Sequence, residues 1–326
     1  MHVLIIGAGG MIGAKLAARI AGDGALAGRA LTRLDLVDIA APPVPAGAGA
    51  LAQSQAADLS DDGVAAALVA RRPDVIFHLA AVVSGEAEAD FEKGYRVNLD
   101  ATRALFEAIR HAHLADGYRP RLVFTSSLAV YGAPLPDVIP DDHIRAPRTS
   151  YGVQKAIAEL LIDDYTRRGF MDGIGLRLPT IVIRPGRPNA AASGFFSGIL
   201  REPLAGQRST LPVPETTRHW LASPRAAVGF LIHAAGLDGV AVGPRRTLTM
   251  PGVACSVGDQ IAALERAAGP QAVALIDHAP DPAIAAIIDN WPRAFDPAAA
   301  RALGFTAETT VDELIAVYRA DDAPRG

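Results

Sequence analysis

His2-Val3-Leu4-Ile5-Ile6-Gly7-Ala8-Gly9-Gly10-Met11-Ile12-Gly13 decides the fold. Its first five residues read as a short buried strand, and the amphipathic run from Ala14 to Ile20 reads as the helix that follows. Between them the glycines recur as Gly7-x-x-Gly10-x-x-Gly13. A G-x-G-x-x-G reading anchored on Gly7 and Gly9 would need a small residue at position 12, where Ile12 stands. Strand, glycine turn and helix in succession are the context in which a glycine pattern points to a dinucleotide. The first glycine permits the tight turn, the second lets the backbone approach a pyrophosphate, and the third lets the helix pack on the strand. The helix start then presents N–H groups and partial positive charge to phosphate.

Working outward, Leu34 to Ile39 reads as the second strand and places Asp38 near its end, where an acidic residue meets the ribose hydroxyls of an adenosine. A carboxylate there repels a 2′-phosphate, and residues 39–50 contain no Arg or Lys to hold one. The expected cofactor is therefore NAD rather than NADP. Asp58-Leu59 follows an Ala/Gly/Pro-rich loop; the pair suits an adenine edge, and Asp58 equally suits the cap of a helix starting near Ser60. A strand from Val75 to Ala80 ends in Ala80-Ala81, small enough to let a cofactor pass. His78 inside it reads as a packed histidine. Asn98 falls in a helix predicted over residues 95–111, as a cofactor contact or as a cap.

Arg121 to Ser127 reads as a further buried strand ending in hydroxyls. Twenty-four residues after Ser127 comes Ser150-Tyr151-Gly152-Val153-Gln154-Lys155, at the start of a helix running to about Arg167. Tyr151 and Lys155 are four apart and share one helix face. An ammonium beside a phenol, near a positively charged nicotinamide, is expected to lower the Tyr pKa so that the phenolate accepts a proton. A serine hydroxyl would orient the same substrate oxygen.

Gly7-x-x-Gly10-x-x-Gly13, Asp58-Leu59, His78-Leu79-Ala80-Ala81, Asn98, Thr125-Ser126-Ser127-Leu128-Ala129-Val130-Tyr131-Gly132 and Tyr151-x-x-x-Lys155 together resemble the epimerase/dehydratase-like branch of the extended short-chain dehydrogenase/reductase family. The resemblance spans essentially the whole chain. It implies an α/β fold, a Rossmann doubly wound parallel sheet with a smaller α/β substrate-binding C-terminal lobe. By it Tyr151 is the proton acceptor, Lys155 binds the nicotinamide ribose and tunes Tyr151, and Ser127 is the catalytic hydroxyl, with neighbouring Ser126 as a second candidate. It also implies cofactor contacts at Gly7, Gly10, Met11, Ile12, Gly13, Asp38, Asp58, Leu59, Ala80, Ala81 and Asn98, and at Leu178 and Thr180 near the carboxamide. A homodimer through the helices near 95–111 and 151–167 is a further implication.

In the second half, Leu176 to Ile183 reads as a strand leading into a long loop that carries Arg184, Arg187 and Asn189, donors for a substrate carboxylate. Thr180, with Ser127 and Tyr151, joins them as an expected substrate contact. Arg218 precedes His219, where the family pattern has Asp after Arg; Arg218 is a further candidate for the acid. Three readings compete: a dehydrogenase of a small sugar acid, a nucleotide-sugar epimerase or dehydratase, and a non-catalytic NAD sensor or interaction protein. A binding module has no need of Ser127, Tyr151 and Lys155 together. Thr125 is followed by Ser126 and Ser127, with no acid for eliminating water. Residues 179–204 and 218–224 resemble sugar-acid dehydrogenases of the family, which implies oxidation of a four-carbon sugar acid at C2.

Composition bounds the rest. At about 150 residues per domain, 326 residues suggest one large domain or two smaller ones. The expected division is 1–183, with 217–238 returning to it, against 184–216 plus 239–326. A hydrophobic fraction of 50% supports a sizeable core. A net charge of −4 argues against nucleic acid as a partner. The single cysteine, Cys255, excludes an intramolecular disulfide and reads as core packing in a reducing cytoplasm. No H-x-x-H or paired Cys/His pattern suggests a metal. No apolar run reaches a membrane span, and the first Lys comes after the N-terminal apolar run rather than before it, unlike a signal peptide.

Overall fold

The computed structural model describes residues 1–186 and 193–323. Seven strands form the central sheet: β1 (His2–Ile6), β2 (Arg33–Asp38), β3 (Ala52–Ala56), β4 (Val75–His78), β5 (Arg121–Ser127), β6 (Asp172–Leu178) and β7 (Thr247–Thr249). Their spatial order is β3-β2-β1-β4-β5-β6-β7. The pairings of β1 with β2 and β4, of β2 with β3, and of β4 with β5 are all parallel. The order reverses between β1 and β4, and doubly wound sheets bind ligands outside the strand ends at such a switch point. Apart from the half-buried His2, β1 is buried throughout, which is why it reads as a continuous apolar run rather than an alternating one.

Helix α1 (Met11–Asp23) follows β1, α2 (Ala101–Asp116) lies between β4 and β5, and α3 (Ser150–Arg167) between β5 and β6. Leu4, Ile6, Val37 and Ile76 of the strands pack with Leu105, Phe106 and Ile109 of α2 and Ala158 and Ile162 of α3. The predicted helix over 95–111 divides in two: Tyr95–Asp100 is a π-helical turn, and α2 begins only at Ala101.

Two compact units divide the chain. The first comprises residues 1–130, 149–177 and 228–248, the second 131–148, 178–227 and 249–326. The returning segment is therefore 228–248 rather than 217–238. Residues 131–148 group with the second unit because Ile139–Pro140 pairs with Phe295–Asp296. The second unit has its own core, in which Phe196, Ile199 and Leu200 meet Val257, Leu264, Leu314 and Tyr318. Its strands Thr180–Ile181, Arg218–Ala222 and Val253–Ser256 form a small sheet. Among the described residues no helix is long and apolar enough to cross a membrane, and no group of three or more His, Cys, Asp or Glu is placed to hold a metal ion.

Candidate active site

In the first unit the glycine turn is built to its sequence. Gly7 has φ of +91°, and a Cβ there would meet the Ala80 nitrogen at 2.6 Å. A Cβ on Gly13 would stand 2.1 Å from the Gly7 carbonyl oxygen. Gly10 caps α1 with no side-chain hydrogen bond, so the N–H groups of the helix start, at Met11 and Ile12, have no side-chain acceptor at the cap. Asp38 ends β2; its Oδ2 accepts the Gly9 N–H at 2.8 Å and its Oδ1 accepts the Ile39 N–H at 2.8 Å. Gly7, Asp38, Asp58, Leu59 and Ala80 line one small cavity, with Ile39, 77% exposed, at its edge. The absent Cβ at Gly7, the helix start and the carboxylate at the end of β2 fit a dinucleotide.

Asp58 closes a local turn rather than capping a helix. Its Oδ1 accepts both the Ser60 N–H and the Ser60 hydroxyl, which holds its carboxyl below the usual range, and the next helix starts only at Val64. Asn98 is buried and ties loop to helix: Oδ1 accepts the Val82 N–H at 2.9 Å, while Nδ2 donates to the Val82 carbonyl and to Gln154 Oε1 at 2.8 Å. It therefore fixes the backbone just after Ala80-Ala81, and reaches α3 through Gln154. Its π-helical turn is the kind of irregularity that marks functional sites. His78 is packed as expected: Thr102 donates its hydroxyl proton to the Asn98 carbonyl, so His78 Nε2 donates to Thr102, and burial pushes the imidazole down to about 3.

Thr149 caps α3 by accepting the Gly152 N–H at 3.1 Å, and places Tyr151 and Lys155 one turn apart. Ser127 lies close enough to Tyr151 to bear on its phenol. Burial pushes the phenol up to about 12, and the Ser127 contact draws it only partway back. The expected lowering by Lys155 is not found. Lys155 is itself buried, which pushes it down to about 7 against the opposing pull of Glu159. Its Nζ donates to the Thr125 carbonyl at 2.9 Å and lies 4.5 Å from the Phe124 ring centroid and 5.6 Å from that of Tyr151.

Ser126 is turned to a different task. Its hydroxyl donates to Glu159, which is fully buried and accepts two guanidinium bonds from Arg177 at 2.9 and 2.8 Å. It is therefore not a second catalytic hydroxyl; neighbouring strand residues face opposite sides, and only Ser127 faces Tyr151. Glu159 is the residue the sequence reading missed. It continues the series Tyr151, Lys155, Glu159 at helical spacing, and that spacing was the signal.

In the second unit, Thr180 Oγ1 lies 2.6 Å from His219 Nε2, and His219 Nδ1 lies 3.0 Å from the Pro292 carbonyl oxygen. Leu178 is half-buried at the end of β6. Arg184 uses its guanidinium on the Ile181 carbonyl and the Ser193 hydroxyl. Arg218 is exposed and its charge lies near Asp259. Arg187 and Asn189 lie outside the described residues.

Residues 3–224 match the model of the NAD dependent epimerase/dehydratase family. The chain is 46% identical, over 98% of both sequences, to a D-erythronate dehydrogenase of Cupriavidus necator. It is 42% identical to a D-erythronate dehydrogenase of Haemophilus influenzae, over 76% of this chain and 78% of that one. A crystal structure described as a nucleoside-diphosphate-sugar epimerase from Agrobacterium tumefaciens superposes with a TM-score of 0.97, at 60% identity, over 98% of this chain and 94% of that one.

Proposed function

Because the chain belongs to the NAD dependent epimerase/dehydratase family, we propose that it oxidises a small sugar acid, D-erythronate, at C2 to 2-dehydro-D-erythronate with NAD. The single observation that carries the chemistry is Tyr151 placed beside the Ser127 side chain, with Lys155 one turn further along α3. The substrate class is supported by the two D-erythronate dehydrogenases that the chain resembles.

In this reading Gly7, Gly10, Met11, Ile12 and Gly13 hold the pyrophosphate, Asp38 the adenosine ribose, and Asp58 and Leu59 the adenine edge. Ala80, Ala81, Asn98 and Leu178 serve the nicotinamide half, and Thr180, expected at either ligand, is assigned to the substrate. The Asp38 carboxylate favours NAD over NADP. NAD, when bound, supplies the acceptor for the hydride that leaves C2. Tyr151 takes the proton of the C2 hydroxyl, Ser127 hydrogen-bonds the same oxygen, and Lys155 binds the nicotinamide ribose. With burial holding the phenol up at about 12, Tyr151 keeps its proton at neutral pH, and its phenolate fraction grows as the pH rises. Oxidation therefore speeds up as pH rises from 7 to 9. Arg218, Arg187 and Asn189 are assigned to the substrate carboxylate, and the second unit to substrate binding. The chain acts as a cytoplasmic homodimer through the helical segments 95–111 and 151–167.

Tyr151→Phe tests the assignment: turnover of D-erythronate falls at least about 100-fold, as expected on losing a general base, while NAD binds with unchanged Kd. Retained turnover removes Tyr151 from the mechanism. A second reading, nucleotide-sugar epimerase, is favoured by the description of the Agrobacterium structure and uses the same three residues.

A further inference from the structure

One buried histidine fixes the direction of the Thr180 hydroxyl. His219 is 2% exposed. Its ring stacks on Phe196, with centroids 5.0 Å apart and planes 17° from parallel, and tilts against Trp291 at 5.3 Å. The Pro292 carbonyl oxygen, 3.0 Å from Nδ1, can only accept, so Nδ1 carries the proton and donates it. Burial holds the ring down at about 4, so at neutral pH it is uncharged and Nε2 is a bare lone pair. Thr180 Oγ1, 2.6 Å from Nε2, must then be the donor of that bond. With its one proton spent, the Thr180 oxygen offers only lone pairs to anything else that reaches it.

An acceptor-only hydroxyl discriminates between chemical groups. A carboxylate or phosphate oxygen meets it lone pair to lone pair, whereas a neutral hydroxyl satisfies it. A sugar acid carries a carboxylate at one end and hydroxyls along the rest, so such a contact selects which part of the molecule sits at Thr180. A carboxamide carries donor and acceptor together, and the polarity of Thr180 would decide little about it. By sequence Thr180 lies two residues beyond the end of β6, and strand ends of doubly wound sheets are where ligands sit.

We propose that Thr180 accepts a hydrogen bond from a hydroxyl of the sugar acid, that His219 is the positioning residue imposing this polarity, and that the pair turns the substrate carboxylate away from this point. The proposal rests on the sugar-acid reading above. Wild type, Thr180→Ser and Thr180→Val are compared in steady state on D-erythronate and its monodeoxy analogues, with KM for NAD measured alongside. Thr180→Val lowers kcat/KM for D-erythronate about tenfold, the scale of one hydrogen bond, with KM for NAD unchanged, and Thr180→Ser restores it. One deoxy analogue costs wild type about tenfold and costs Thr180→Val less than about twofold. Equal deoxy penalties in both proteins, or an effect confined to KM for NAD, overturn the proposal.

The polarity itself is read without turnover. Side-chain ¹⁵N shifts of labelled histidines at pH 7, with His219 assigned by its disappearance in His219→Gln, show Nδ1 protonated and Nε2 bare; a proton on Nε2 overturns it. If His219→Gln fails to fold, the Thr180 variants decide alone. Failure to oxidise any sugar acid counts against the functional reading; oxidation that is indifferent to Thr180→Val counts against this inference.

Discussion

Gly13→Ala and Gly22→Ala make the same chemical change on the same helix, α1, and should have opposite signs. At Gly13 a Cβ would lie 2.1 Å from the Gly7 carbonyl oxygen and 2.8 Å from the Ala8 Cα, both backbone atoms that cannot rotate aside. Restoring an ordinary contact means moving the start of α1 away from the glycine turn by roughly 1 Å. Overpacking of that kind costs about 1–3 kcal/mol, and an error of about 1 Å in a positioned site can cost about 100-fold. At Gly22 nothing lies within 4 Å of the added Cβ. There alanine should stabilise the helix by about 0.5 kcal/mol, less than the interior value because the position is near the helix end. NAD titration by calorimetry and thermal unfolding give both readouts. Gly13→Ala weakens NAD binding tenfold or more and lowers Tm by several degrees, at about 2–4 °C per kcal/mol for a chain of this size. Gly22→Ala raises Tm slightly and leaves Kd within twofold. An unchanged Kd in Gly13→Ala would refute the claim that the Gly7–Gly13 approach shapes the pyrophosphate site.

The serine pair separates cleanly: Ser127→Ala loses at least about 100-fold in kcat, the range expected of a proton-transfer partner, while Ser126→Ala keeps turnover within about threefold and loses about 1 kcal/mol of stability, as paired kinetics and denaturation would show. Glu159→Gln removes the carboxylate charge opposite the buried Arg177 guanidinium and costs about 3–5 kcal/mol; the double change with Arg177→Met costs less than the sum of the single changes, and strict additivity in denaturation midpoints would remove the pair from the account. His78 and His219 are held at about 3 and about 4. Between pH 6.5 and about 4.5 the unfolded chain therefore binds protons that the folded chain refuses, and stability falls with acidification by up to about 2.7 kcal/mol per pH unit for the two together. Equal urea midpoints at pH 7 and pH 5 would contradict it.

What could be read from the sequence was what depends on local backbone or on spacing. Gly7 and Gly13 are required by a turn contained within seven residues, and Tyr151 and Lys155 meet because a helix repeats. β3, Ala-Gln-Ser-Gln-Ala, escaped because an edge strand that is half-exposed has no apolar run to reveal it. Ser126 and Ser127, adjacent hydroxyls, are ranked in the sequence only by resemblance, and the physical difference between them rests on Glu159, 33 residues away, which claims Ser126. The tautomer of His219 depends on a carbonyl 73 residues further on, which no local pattern encodes. The lowering of Tyr151 by Lys155 was a charge argument that left out burial, and burial dominates both groups.

The central claim is the oxidation of a sugar acid by NAD at the Ser127–Tyr151–Lys155 site. Its most direct test is the appearance of NADH at 340 nm with the purified protein across tetronic and other sugar acids, beside UDP- and dTDP-sugars assayed for epimer formation. NADH formation with D-erythronate at a kcat/KM above every other acid, with no change in any nucleotide sugar, is the predicted result. Epimerisation of a nucleotide sugar with no NADH formed from any sugar acid would contradict it.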